Sequence, residues 1–242
     1  MLQELQINNF RCLREVNVPL RPLTVLVGPN DSGKTAALRA LEYLVGVRNL
    51  EPFDRWRGDQ HVEPSVTGRA PGFSIRRHSG RLAEISPHGS TLLQPTEFFQ
   101  LPSDGVLMVS PGHPDEGEPP VIGPQGQNIP ALLDHLLRRD RGRFDSFVET
   151  MRHLVAGLEK IEIATHDAST RRIDRSIEDG LRMPADRASV GVRLLLFFVA
   201  MAYHPKPPKL MLIEEPENSV HPKRLGDVVR LLREITQGKH GN

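Results

Sequence analysis

A glycine-rich loop near the N-terminus carries the residues best suited to chemistry. Gly28, Gly33, Lys34 and Thr35 fit the phosphate-loop pattern G-x-x-x-x-G-K-[ST]. The loop stands between an apolar stretch and a helical pattern, so its backbone N–H groups and a helix N-terminus converge on one point and favour an anion there. Lysine can then reach the outer phosphates of a nucleotide, and the threonine hydroxyl can bind Mg²⁺. The predicted nucleotide-binding residues are Gly28, Pro29, Asn30, Asp31, Ser32, Gly33, Lys34, Thr35 and Ala36.

Two adjacent carboxylates form the second candidate group. Glu214 and Glu215 follow the apolar run Leu210-Met-Leu-Ile213. A carboxylate at the end of a buried strand beside a phosphate loop is suited to hold Mg²⁺, and a second carboxylate can polarise an attacking water. We therefore expect Glu214 to bind the metal and Glu215 to act as general base, because alternate residues leave a strand end in different directions. The alternatives are a solvated acidic turn here and, at Lys34, a glycine turn with a surface lysine.

Strands and a helix must position these groups. Leu5 and Ile7, and then Val16, Val18 and Leu20, alternate with polar residues and predict an edge hairpin. The continuous apolar run over 23–27 predicts a central strand buried on both faces, and 209–213 predicts a second one. Apolar residues at three- and four-residue spacing after the loop predict an amphipathic helix that ends at Gly46.

The middle of the chain is richer in proline and glycine than the rest. Residues 51–130 hold 12 of the 21 prolines and 10 of the 20 glycines, which predicts an insertion of loops and short strands, with strands at 91–99 and 105–109. Two apolar stripes over 131–158 predict a helical lobe. Further strands are expected around Ile161-Glu-Ile163 and Ile173 to Ile177, then a core helix over 194–203 and a last helix from Pro222.

Composition limits the class of protein. The chain has 242 residues, 38% apolar residues and a formal net charge of +1, so a normal core forms and no global field draws it to nucleic acid or membrane. The single cysteine, Cys12, excludes an internal disulfide, and no segment reaches the length of about 20 apolar residues that a membrane span needs. We expect a cytoplasmic protein.

Several segments together resemble a known family. Leu210-Met-Leu-Ile-Glu-Glu-Pro-Glu-Asn-Ser-Val-His-Pro222 is similar to the Walker B region of the ATP-binding-cassette-type ATPases related to the structural-maintenance-of-chromosomes, recombination-mediator and overcoming-lysogenization-defect (AAA-like) proteins. Phe10-Arg-Cys-Leu-Arg-Glu-Val and the stretch 23–35 resemble the opening strands and Walker A of that group. Ala188-Ser-Val-Gly-Val-Arg193 resembles its signature motif, with Ala188 and the placing of Arg193 departing from it.

The resemblance implies an architecture and a partner. The fold expected is an α/β P-loop NTPase core with N-terminal antiparallel strands, a central mostly parallel sheet and a helical insertion lobe, all of 1–242 forming one ATPase head. In this family, ATP on one subunit is completed by the signature residues of another, so Ser189 and Gly191 would act in trans in a homodimer or with a second chain; as an alternative, Ser189 is a helix N-cap. A Mg²⁺-sensing glutamine is also implied; Gln100 is the best candidate, and Gln94, Gln125 and Gln127 are the alternatives.

Some family features are missing from the chain. No Asp-x-Asp pair of the overcoming-lysogenization-defect nucleases occurs, so we expect no DNA cleavage by this chain. The last strand with its switch histidine is expected to be absent, since no apolar strand precedes His240. Arginines in Arg138-Arg-Asp-Arg-Gly-Arg143, with Arg171, Arg172 and Arg175, could meet DNA or could be solvated helix ends.

The expected function is a Mg-ATP-binding, weakly hydrolysing ATPase head that acts through ATP-dependent dimerisation, in DNA maintenance or phage defence. The alternative from another class is a nucleotide-gated module that binds DNA or protein with negligible turnover. A P-loop small-molecule kinase is disfavoured because it leaves Glu214, Glu215, Ser189 and Gly191 unexplained.

Overall fold

Two units make up the chain. The structure, a computed structural model, describes residues 1–78, 81–85, 96–101, 108–112, 117–167, 169–177, 180–217 and 220–238. Unit 1 comprises Met1–Phe98 and Pro208–Glu214, and unit 2 comprises Phe99–Pro207 and Glu215–Asn242. The chain therefore leaves unit 1 for unit 2, returns to unit 1 for one short segment, and ends in unit 2.

The described residues form β-strands and α-helices with the following bounds. The strands are β1 (Glu4–Phe10), β2 (Leu13–Pro19), β3 (Ser65–Ala70), β4 (Phe73–His78), β5 (Arg81–Ile85), β6 (Thr96–Gln100), β7 (Val109–Pro111), β8 (Leu158–Thr165), β9 (Thr170–Ile177), β10 (Leu181–Pro184) and β11 (Leu210–Glu214). The helices are α1 (Lys34–Val45), α2 (Ile129–Arg139), α3 (Arg141–Leu154), α4 (Val190–Ala202) and α5 (Leu225–Thr236).

Unit 1 is built on a five-stranded antiparallel sheet in the order β2-β1-β3-β4-β5. The predicted edge hairpin is confirmed, since β1 pairs with β2 and Ile7 stands opposite Val16. Sequence analysis did not predict β3, β4 or β5, which lie in the proline- and glycine-rich stretch and extend the sheet from the other side of β1. Both edges of β1 are thus occupied.

Helix α1 covers this sheet, as the apolar periodicity predicted. Its buried residues, among them Ala40, Tyr43 and Leu44, join one core with Leu5, Ile7 and Phe10 of β1, and the rings of Phe10 and Tyr43 lie 5.9 Å apart. The helix ends at Gly46, whose φ of 82° places it in the left-handed region where glycine is favoured. The glycine stop predicted from the sequence is confirmed.

The prediction of a buried central strand over 23–27 is wrong. This segment joins no strand pairing that the structure describes, and Val25 and Val27 are 63% and 90% exposed, while Leu26 packs against the core. The hydroxyl of Thr24 accepts from the backbone N–H of Arg21 at 2.9 Å, a local bond that competes with a strand ladder. Since β2 and β3 already occupy both edges of β1, the segment finds no partner there.

The second predicted strand forms. β11 ends at Glu214, and Leu212 is buried in the unit 1 core with Leu210 packed against it. It pairs with β6, of which residues 96–98 belong to the same unit. Residues 91–95 and 105–107 of the two short strands predicted in the insertion lie outside the described residues, as do Gln94 and His240.

Unit 2 combines a small sheet with a helical layer. β8 lies along one edge of β9, and β7 and β10 share the other, all antiparallel. The two predicted apolar stripes appear as α2 and α3, and the predicted core helix as α4, whose Phe197 packs against Phe99 with ring centroids 5.2 Å apart. The last helix, α5, follows a short 3₁₀ turn that begins at Pro222.

His204 lies just after the C-terminus of α4 in unit 2. The side chain is buried, its Nε2 lies 3.0 Å from the carbonyl oxygen of Pro120, and its Nδ1 accepts from the backbone N–H of Lys206 at 3.0 Å. Burial lowers the pKa of His204, and the positive charges of His135 and Arg143 lower it further, against the opposing effect of the Pro120 carbonyl. The neutral ring, donating from Nε2, satisfies both contacts.

Every strand register described is antiparallel, where the resemblance implied a mostly parallel central sheet. The segment 23–27, which was expected to lead into the phosphate loop as a strand, takes part in none of the pairings described. None of the helices described here has both the length and the apolar composition that crossing a bilayer requires.

Candidate functional site

The phosphate loop turns sharply into α1. Gly33 caps the helix with a φ of 93°, and Asp31 also has a positive φ of 61°. A Cβ on Gly33 would lie 2.7 Å from Cδ2 of Leu13 and 3.2 Å from Sγ of Cys12. Glycine is needed at position 33 on both grounds, since left-handed backbone is costly for other residues and a side chain would have no room.

Lys34 is held by its own loop. Its Nζ donates to the carbonyl oxygens of Gly28 at 2.9 Å and Pro29 at 2.8 Å. The ammonium group is thereby held over the start of the loop, close to the N-terminus of α1, where the helix dipole favours an anion. Phosphate oxygens could replace these two neutral acceptors and would offer a charged partner for the ammonium instead.

Thr35 and Glu214 meet in unit 1. The Thr35 hydroxyl donates to Oε1 of Glu214, although the two residues are 179 positions apart in the chain. A hydroxyl and a carboxylate are hard oxygen donors of the kind that Mg²⁺ prefers, so this pair fits the ion. The residues predicted to hold the metal from the two ends of the chain are thus brought together.

Glu215 starts unit 2, directly after Glu214, and has a positive φ of 48°. This backbone conformation is uncommon for a residue other than glycine, and such positions cluster at functional sites. Its predicted role as general base stays a prediction.

Ser189 forms the N-cap of α4 in unit 2. Its Oγ accepts from the backbone N–H of Val192 at 3.4 Å, and Gly191 lies in the first turn of the helix. This is the N-cap alternative considered for Ser189. The role in trans requires a second chain and stays a prediction.

The candidate glutamines differ in their surroundings. Gln100 ends β6 and is exposed. The Gln127 side chain accepts from the backbone N–H of Gln125 at 2.9 Å, so these two stabilise their own turn. Assignment of Gln100 to Mg²⁺ stays a prediction.

Arginines of the basic run are engaged in ion pairs. Arg138 and Arg171 both contact Asp134, and Arg143 contacts Asp140. In the same unit, Arg172 lies 2.7 Å from the buried Asp174. These contacts favour a structural role for the run, and DNA contact stays a prediction.

An ion-pair cluster around Asp54 in unit 1 was not predicted from the sequence. Asp54 is fully buried; its carboxylate accepts from Nε of Arg11 at 2.8 Å, from Arg48 at 3.0 Å and from the backbone N–H of Glu51 at 2.8 Å. Burial raises the pKa of Asp54, but the bonds from Arg48, Glu51 and Arg11 outweigh this and leave the pKa below its ordinary value. Only the three-residue spacing of Glu51 and Asp54, a capping pattern, could have pointed to it.

Both ends of the chain match family models. Residues 1–70 match the family described as "AAA ATPase domain", and residues 131–241 match the one described as "AAA domain, putative AbiEii toxin, Type IV TA system". The residues of the phosphate loop lie in the first match, and those of the acidic strand end and the signature motif lie in the second.

Two individual proteins are also similar. An OLD nuclease of Thermus scotoductus is 54% identical over 89 residues, which are 36% of this chain and 14% of that protein. The chain therefore matches a small part of this relative. A crystal structure of an SMC head bound to the C-terminal winged-helix domain of ScpA superimposes with a TM-score of 0.60 at 15% identity, over 98% of this chain and 87% of that one. The comparisons confirm the resemblance and the α/β fold class predicted from the sequence.

Proposed function

We propose that this chain, a P-loop ATPase domain of the SMC and OLD type, binds Mg-ATP at the loop 28–36 and hydrolyses it slowly. The observation that carries this proposal is the bond from the Thr35 hydroxyl to Glu214. It joins the end of the phosphate loop to the acidic end of β11, which is the arrangement that a nucleotide-bound magnesium ion needs.

Each residue has a defined task in this proposal. Backbone N–H groups of the loop and the N-terminus of α1 bind the phosphates, and Lys34 leaves the carbonyls of Gly28 and Pro29 to neutralise them. Thr35 and Glu214 would hold Mg²⁺, which when bound neutralises charge on the transferred phosphate. Glu215 polarises the attacking water as general base.

We also propose that ATP joins two heads. Ser189 and Gly191 lie at the N-terminus of α4, where a hydroxyl and backbone N–H groups suit a phosphate offered by another chain. The similar SMC head was crystallised with a partner domain, which supports association of this chain with a second protein. We further propose that this chain acts in DNA maintenance or phage defence in the cytoplasm.

Nucleotide binding is tested with Lys34→Ala in the full chain. ATP affinity should fall at least tenfold, because the only cation of the loop is lost, while Lys223→Ala, which removes an exposed lysine elsewhere, should bind as the wild type does. Titration calorimetry with and without Mg²⁺ measures both. Unchanged ATP binding by Lys34→Ala would refute the proposal.

Hydrolysis is tested separately with Glu215→Gln. Turnover should stop while ATP still binds, and sedimentation should show a dimer at saturating ATP. Unchanged phosphate release would remove Glu215 from the mechanism, and absence of turnover in the wild type, with ATP bound, would favour the nucleotide-gated binding module. A monomer at saturating ATP would contradict the dimerisation.

A further inference from the structure

An exposed aromatic ring lies in unit 1, the unit that also holds the phosphate loop. The side chain of Phe53 is 60% exposed, and the guanidinium of Arg11 lies 5.1 Å from its ring centroid. A second pair of the same kind follows, with the guanidinium of Arg57 lying 5.2 Å from the ring of Trp56. Stacked arginine and aromatic groups of this kind are what proteins use to bind bases.

The cluster around Asp54 holds Arg11 and Phe53 in place. The backbone N–H of Arg11 donates to the carbonyl of Asp54 at 2.8 Å, and its Nε donates to the Asp54 carboxylate at 2.8 Å. On the other side, the backbone N–H of Arg57 donates to the carbonyl of Arg11 at 3.4 Å. The guanidinium is therefore fixed before any ligand arrives, which reduces the entropy that binding would cost.

The same turn of the β1–β2 hairpin touches the phosphate loop. Leu13 and Cys12 hold the side-chain atoms nearest to where a Cβ at position 33 would lie. Arg11 precedes Leu13 by two residues, a distance of at most about 7 Å along the chain. The β1–β2 turn thus links the ring of Phe53, through Arg11, to the surroundings of Gly33 in the phosphate loop.

We propose that Phe53, backed by Arg11, is the platform on which the base of the bound nucleotide stacks. This inference rests on the proposed function, since it places the base of the nucleotide whose phosphates occupy the loop 28–36. A ring that carries a guanidinium at one face can receive a flat base at its other face or its edge, and stacking of this kind accepts any base. The platform adds affinity for a nucleoside over a bare chain of phosphates and discriminates weakly between purine bases.

The platform is tested by comparing ATP with inorganic tripolyphosphate, which has no base. Phe53→Leu keeps an apolar side chain but removes the ring, and should weaken ATP binding about tenfold, or about 1.4 kcal/mol. Its affinity for tripolyphosphate should equal that of the wild type. Phe53→Trp should bind ATP as tightly as the wild type, and Val47→Ala, at another exposed apolar position of unit 1, should not change either affinity.

Calorimetry on the full chain separates the outcomes. If Phe53→Leu binds ATP as the wild type does, or loses ATP and tripolyphosphate equally, the platform is refuted and the phosphate site stands. If Phe53→Trp binds ATP no better than Phe53→Leu, stacking is refuted as the cause. If the wild type binds neither ligand, the proposed function fails, and the platform fails with it.

Discussion

Asp54 is the residue whose removal should most damage unit 1. It has no exposed surface and binds two arginines, Arg11 and Arg48. Asp54→Ala would leave the Arg11 guanidinium without its carboxylate and would leave Arg48 with Glu51 alone. Breaking a buried ion pair from one side costs about 3 to 5 kcal/mol, because the remaining charge stays partly buried. Since the two arginine side chains are 24% and 13% exposed and can reach water, we expect the lower value, about 3 kcal/mol.

The chain offers a direct probe for this prediction. Its single tryptophan, Trp56, lies two residues from Asp54, so the fluorescence reports this segment. With a urea m value of about 2 kcal/mol/M, the midpoint of unfolding should fall by about 1.5 M. Asp145→Ala, which breaks an exposed pair with Arg141, is the control and should cost about 0.5 kcal/mol or less. Equal midpoints for the two variants would refute the importance of burial.

The dependence of stability on pH provides a second test of the role of Asp54. Because its pKa is lowered in the folded state, the pair contributes stability above the ordinary value of 3.8, and this stability is lost as the pH falls below that value. Asp54→Asn should have a smaller loss of stability between pH 5 and pH 3 than the wild type. Parallel curves for the two proteins would show that other carboxylates govern acid unfolding.

Three further predictions concern other parts of the chain. Gly33→Ala should abolish nucleotide binding and destabilise unit 1 more than Gly72→Ala does. Both glycines have a positive φ (93° and 80°), but of the two only position 33 lacks space for a Cβ. Equal effects of the two substitutions in urea unfolding and calorimetry would refute this prediction. Val27→Ser should change the unfolding free energy by no more than about 0.5 kcal/mol, as for an exposed residue, whereas a loss of 2 kcal/mol or more would show that the valine is buried. Since burial lowers the pKa of His204, unfolding should become easier as the pH falls below about 6.5, and this dependence should be absent in His204→Gln by circular dichroism.

How much could be predicted depended on the range of the interaction. The pattern of Gly28 to Thr35 and the acidic pair after Ile213 are local signals, and the structure brings Thr35 and Glu214 together as expected. The signals for helix α1 and for its end at Gly46 are equally local, since apolar periodicity and capping depend on neighbouring residues. Roles in trans, such as that of Ser189, stay predictions because they require another chain.

Interactions between distant residues could not be predicted from local sequence patterns. The apolar run over 23–27 has the composition of a buried strand, but a strand needs a partner, and β3 already holds the free edge of β1. β3 and β4 were not predicted because Gly68 and charged residues interrupt their alternation. The spacing of Glu51 and Asp54 indicates only a local cap; the burial of Asp54 and its pairing with Arg11 could not be predicted, since an isolated aspartate is most often exposed and Arg11 is 43 positions away.

Unit 1 is built from two separate segments of the chain, so its two parts are synthesised at different times. Thr35 leaves the ribosome with the first part of unit 1, but its partner Glu214 follows only after residues 99–207 of unit 2. At a translation rate of about 5 to 20 residues per second, this delay is roughly 10 to 40 seconds. During that interval the nascent chain has its phosphate loop without the carboxylate proposed to hold Mg²⁺. Nucleotide that requires both groups can therefore bind only once β11 has been made, which separates chains that contain β11 from shorter nascent chains.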